Sequence, residues 1–209
     1  MSNTATFEQL AAFAETRRRT MAWAASLRQD QMDWRPASGK WSVGEVLDHV
    51  LLAESAYREE IGRLVALKRA GQEAYRKNTF SDVNVRPAFL PEAVMPFLAA
   101  PLTVVNQVVP EALRDTITRI PVMPARNPTM AQPRRGRPAD ALRAELATGL
   151  QDTEQMLGGN ADLVFDELVT EHPLMGRNTP RGVLRFLTYH EQRHQGQIGA
   201  LIGDRQFPL

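Results

Sequence analysis

The sequence predicts an all-α fold, a four-helix bundle with a long proline-rich crossover between the second and third helices. Three observations predict it. Apolar residues recur at helical spacing in four stretches, those stretches open and close on capping residues, and alternating strand-like runs are few. At 209 residues and 43% hydrophobic, the chain is long enough for one domain, 1–209, with a substantial core.

The first helix is expected from about Thr6 to Leu27, with Thr6 and Gln9 as a capping box and Leu10, Phe13, Met21 and Trp23 on an apolar side. The second has the clearest start. In "KWSVGEVLDH", Ser42 can cap, Glu45 can return the bond and Trp41 can staple against Val46. It continues to about Arg69, and its inward stripe reads Val46, His49/Val50, Ala53, Tyr57, Ile61 and Leu64. The third runs from about Pro138 to Leu157, with Leu142, Leu146, Leu150 and Leu157 inward and Gly158-Gly159 ending it. The fourth starts at Thr179-Pro180, an N-cap followed by proline at the first helical position, and runs to about Gly203. Its stripe is Val183, Leu187, His190, His194, Ile198 and Leu201.

Between the second and third helices, about 71–137, stand nine prolines, a density that breaks regular helix and marks an elaborated crossover. "DTITRIPV" and "DLVFDELV" are the only strand-like runs, so an antiparallel sheet domain is not expected.

Composition narrows function. A formal net charge of +1 is neither strongly basic nor strongly acidic, so nucleic acid is not an expected partner. No apolar run approaches the roughly 18 residues of a membrane span, and the start lacks the layout of a signal peptide, so a cytoplasmic protein is expected. The absence of cysteine excludes disulfides, thiolate ligands and a cysteine nucleophile. Any thiol chemistry needs a thiol cosubstrate.

The chemistry lies in "TYHEQRHQGQI". His190-Glu191-Gln192-Arg193-His194 fits H-E-x-x-H, the pattern by which a zinc protease helix supplies two ligands and a general base. Histidines at i and i+4 share a helical face, so their rings can converge on one ion. His49, on the inward stripe of the second helix, is the natural third ligand, because bundles place metal ligands on facing helices. A lone core histidine is more often a hydrogen-bonded core residue. Three on two stripes would need three sets of partners, whereas one metal satisfies a nitrogen of each. The protease reading lacks its downstream third ligand, since after His194 only Asp204 is acidic. Glu191 then stands beside the metal-facing stripe, in the second shell or in an ion pair with an arginine.

With "WSVGEVLDHVLLAE" and "HPLMGRNTPRGVLRFLTYHEQRHQGQI", the sequence resembles the DinB-like superfamily, whose signature falls here on Trp41, Ser42, Glu45 and His49, then His190 and His194. The resemblance implies an up-up-down-down four-helix bundle, a three-histidine divalent metal site at one end and a homodimer. It also implies hydrolase or low-molecular-weight-thiol transferase activity on a small-molecule substrate. Gln197 is similar to a glutamine common at that place and could hold a metal water or bond another helix. His172, also at a family-like position, reads as part of a turn, Arg193 as the partner of a carboxylate, and Glu45 as a cap. The basic run "PRRGRP" could receive an anion if it folds over the site.

The expected function is thus a metal-dependent hydrolase or thiol transferase with one divalent transition metal on His49, His190 and His194. Imidazole ligands suit zinc, nickel, copper or iron alike. The alternative is a non-catalytic metal-binding or stress-associated protein.

Overall fold

The computed structural model describes residues 3–79, 86–87, 125–126, 131–172 and 176–209. Four long helices dominate: α1 (Thr4–Ala25), α3 (Val43–Arg69), α4 (Ala139–Gly158) and α5 (Pro180–Ile202), with a short α2 (Gln29–Asp33) after the first. α1 and α3 each pack on both α4 and α5.

Local chemistry sets the helix ends. Ser42 Oγ accepts from Glu45 N at 3.2 Å, and the Glu45 carboxylate accepts from Ser42 N at 2.9 Å, so the capping box of α3 forms as the sequence indicates. Thr179 stands at the N-cap of α5 with Pro180 as its first residue, but the Thr179 side chain makes no cap bond. At α1 the expectation fails. Asn3 takes the N-cap position, and its amide donates to the carbonyls of Ala161 and Leu163 while its oxygen accepts from Phe165 N. Thr6 and Gln9 form no box. Gln9 donates instead to Thr188 Oγ1 on α5. α2 is tied down by contacts no local pattern shows: Gln29 Oε1 accepts from Ala139 N, and Gln31 donates to the Pro208 carbonyl.

Among the described residues, two apolar clusters fill the interior. One joins the start of α1, the end of α3, the end of α4 and the start of α5 through Phe13, Leu64, Leu157 and Leu184. The other joins the end of α1, the start of α3, the start of α4 and the end of α5 through Ala24, Leu47, Leu142 and Ile198. The directions are therefore up-down-down-up, and the expected up-up-down-down order is corrected. The reason lies in the connections. Only residues 26–42 link α1 to α3, enough for an antiparallel return, whereas the long crossover lets α3 and α4 run in parallel.

A second correction concerns strands. The fold is mostly helical, but not all-α. β1 (Tyr75–Lys77) pairs in parallel with β4 (Val169–His172), which pairs antiparallel with β5 (Gly176–Asn178). β2 (Arg86–Pro87) and β3 (Ala125–Arg126) form a separate antiparallel pair. These strands are too short to show a period-two pattern. "DLVFDELV" supplies a 3-10 turn at Phe165–Glu167 and only the first residue of β4, and "DTITRIPV" lies outside the described residues. The three-stranded sheet follows the end of α3 and precedes α5, so it sits far from His49 at the start of α3.

Candidate metal centre

His49 projects from the second turn of α3, and His190 and His194 from successive turns of α5, all three buried. Their Nε2 atoms converge. His49 Nε2 lies 3.1 Å from His190 Nε2, which lies 3.3 Å from His194 Nε2. One nitrogen from each falls within 4.8 Å of the others. Nitrogens about 2.0–2.1 Å from a tetrahedral zinc stand roughly 3.3–3.4 Å apart, so the observed spacing fits a common ion.

Hydrogen bonds at the other ring edges set the tautomers. The Ala131 carbonyl lies 2.7 Å from His49 Nδ1, and a carbonyl can only accept, so Nδ1 carries the proton and Nε2 is bare. Gln197 Oε1 lies 3.0 Å from His194 Nδ1 and imposes the same tautomer. Two bare nitrogens therefore face His190 Nε2. A proton on His190 Nε2 can serve one of them, and the Arg193 guanidinium, with Nη2 3.3 Å from His194 Nε2, donates to the other. With His190 Nε2 bare as well, the three nitrogens can share one cation in place of those donors.

Electrostatics agree. Burial lowers the pKa of all three histidines, taking His194 down to about 3 and His190 well below the usual value. For His190 and His194 the neighbouring rings lower it further, and the Arg193 cation does so for all three. Neutral imidazoles at neutral pH are ready ligands. Trp41 covers the rings of His49 and His194 at centroid distances of 5.0 and 6.4 Å, and Phe186 stacks on His190 at 5.5 Å. Trp41 and Gln197 also line a cleft of about 360 Å³ with Pro36, Lys40, Ala200, Leu201 and Asp204. The histidines thus have an apolar shell, and the cleft lies beside them, touching Gln197 but none of the three rings.

The remaining polar residues divide clearly. Glu191 turns away from the histidines, and both its oxygens accept from the buried Arg17. Arg17 also donates to Glu54 at 2.6 Å and to the Leu146 carbonyl at 3.2 Å. Its pKa is raised, because Glu191 and Glu54 outweigh the lowering by burial. Asp48, beside His49, is fully buried and bound by Arg134 and Arg137. Those hydrogen bonds outweigh the raising effect of burial and lower its pKa. The "PRRGRP" run is thus largely used on Asp48, while Arg135 stays exposed 3.8 Å from Glu45, which also pairs with Arg35. His172 ends β4, buried and away from the three histidines, with burial lowering its pKa to about 4.

The carboxylate partner expected for Arg193 is not found. Among the described residues no carboxylate pairs with it, and its Nη2 lies 3.3 Å from His194 Nε2. Sequence reasoning also missed Arg17, Asp48 and Ala131. Arg17 was discoverable, since it continues the stripe of Leu10, Phe13 and Ala14 within an otherwise polar "TRRR". A backbone carbonyl such as that of Ala131 leaves no such signal.

The fold and this histidine arrangement define a helical protein with a candidate cross-helix metal centre. The profile of the DinB superfamily matches residues 12–198, and the chain belongs to that superfamily. No curated protein and no solved structure matches it.

Proposed function

We propose that the protein is a metal-dependent enzyme, a hydrolase or a low-molecular-weight-thiol transferase, with one divalent transition metal held by His49, His190 and His194. The observation that carries this is the convergence of the three Nε2 atoms with two tautomers fixed to present bare nitrogens. Three protein ligands leave a coordination position for water or a substrate atom, the pattern of catalytic sites. The bound ion supplies Lewis acidity and lowers the pKa of a coordinated water or thiol.

The chain's own residues do the rest. Ala131 and Gln197 orient the rings, Trp41 and Phe186 cover their faces, and the cleft that Trp41 and Gln197 border is the route this reading assigns to a small molecule. The protease reading loses support, because a general base must reach the metal-bound water and Glu191 is engaged by Arg17 in the core. Four long helices packed pairwise support a bundle, and the homodimer implied by the superfamily belongs to the same reading.

A second reading, a non-catalytic ion tying α3 to α5, is favoured by the burial of all three histidines. Elemental analysis of untagged protein and of His49→Ala tests the site common to both. About one transition metal per chain, lost in the variant, is expected; no uptake of zinc, nickel or iron by the wild type removes both readings. Turnover of hydrolase or thiol-transfer substrates by the loaded protein then separates them.

A further inference from the structure

The charge balance around the three histidines is positive once an ion is bound. All three are neutral ligands. The two carboxylates nearest the start of α3 are already compensated, Asp48 by Arg134 and Arg137 and Glu45 by Arg35. Arg193, one residue before a ligand, adds a further cation at the cluster. Its Nη2 lies 3.3 Å from His194 Nε2, its surface remains exposed, and no carboxylate pairs with it among the described residues. A divalent ion on three imidazoles beside this guanidinium leaves a strongly positive centre, and the exposed Arg193 is its solvent-facing part. Such a centre attracts an anion rather than a neutral ligand.

Guanidinium geometry narrows the class. Its planar fork donates two parallel hydrogen bonds to an oxyanion, a carboxylate or a phosphate, while a metal takes another oxygen of the same group. We propose that Arg193 is the anion-recognising residue of this site, and that its ligand is a small molecule bearing a carboxylate or phosphate group bound between the guanidinium and the metal position. This rests on the three-histidine metal reading and adds the substrate class to it.

Cobalt(II)-loaded wild type, Arg193→Gln and Arg193→Lys test it by visible absorption, titrated at constant ionic strength with acetate, with inorganic phosphate and with imidazole as a neutral control. Among the described residues Arg193 bonds no other helix, but its charge opposes a cation on the histidines, so Arg193→Gln is expected to take up cobalt at least as well as the wild type, and all three proteins are compared fully loaded. Loss of the charge-assisted bonds should weaken oxyanion binding in Arg193→Gln by roughly 10- to 100-fold. Arg193→Lys should fall between the two, and imidazole should bind all three alike. The stronger of the acetate and phosphate responses names the group recognised. Equal oxyanion affinity in wild type and Arg193→Gln, an equal loss for imidazole, or no oxyanion response in the wild type overturns the assignment while the metal site stands. Failure of the wild type to bind cobalt overturns the metal reading and this assignment with it.

Discussion

Arg17 on α1 and Glu191 on α5 form a bidentate pair inside the core, with Nε 2.9 Å from Oε1 and Nη2 3.0 Å from Oε2. Adjacent residues on a helix point about 100° apart, so a helix that aims His190 at α3 aims Glu191 elsewhere. That elsewhere is α1. The H-E-x-x-H string thus serves two separate interhelical contacts, and its glutamate anchors the helix that carries two candidate ligands.

Removing Arg17 leaves Glu191 and Glu54 buried with most of their compensation gone. Arg17→Met should therefore destabilise the fold by about 3–5 kcal/mol, read from urea unfolding. Glu191→Gln keeps the shape and should retain the wild-type metal content. Loss of metal from Glu191→Gln in a folded protein would mean that the carboxylate serves the site.

Metal binding should appear as stability. A ligand at about 100 times its Kd adds roughly 2.7 kcal/mol, so zinc should raise the Tm of the wild type and a chelator should reverse the rise. His49→Ala should show little of it. The metal-free protein should still melt cooperatively, because two apolar clusters and the Arg17 network hold the helices without the ion.

Acid should destabilise the metal-free protein in a defined window. His172 has its pKa lowered by burial to about 4, and the three clustered histidines are lowered too. The unfolded chain binds those protons near pH 6.5 and the folded chain does not, so stability is complete above about 6.5 and falls as pH drops toward the folded values. Each histidine contributes up to about 1.4 kcal/mol per pH unit in that range. Asp48, lowered from 3.8, loses its contribution only at lower pH. Thermal melts from pH 7.5 to 4.5 should show a shallower slope for His172→Gln than for the wild type; identical slopes would contradict the assignment.

Two substitutions to alanine at the start of α3 should both destabilise, for different reasons. Ser42→Ala removes the cap and should cost about 1 kcal/mol. Gly44→Ala should also destabilise, although alanine ordinarily gains up to about 1 kcal/mol in a helix. A Cβ there would stand 3.1 Å from the Met32 carbonyl oxygen of α2, with backbone on both sides of the contact. Thermal melts check both.

How much was legible follows from the range of each interaction. The capping box at Ser42, the proline start of α5, the leucine stripe of α4 and the i, i+4 histidine pair are local, and periodicity and capping chemistry show them. The partnership with His49 needed one further step, that two inward stripes face each other. Position alone left open what Glu191 and Arg193 touch, since polar residues on a helix choose partners from whatever lies opposite.

The sequence by itself determined the four long helices, the superfamily resemblance and the candidate ligands His49, His190 and His194, because these depend on spacing along one chain segment. Tertiary structure alone decided the up-down-down-up order, the small sheet, the burial of Arg17 between Glu54 and Glu191, and the Ala131 carbonyl on His49. Each of those contacts joins residues far apart in the chain. Their energies come from burial and charge compensation between segments, which no single segment encodes.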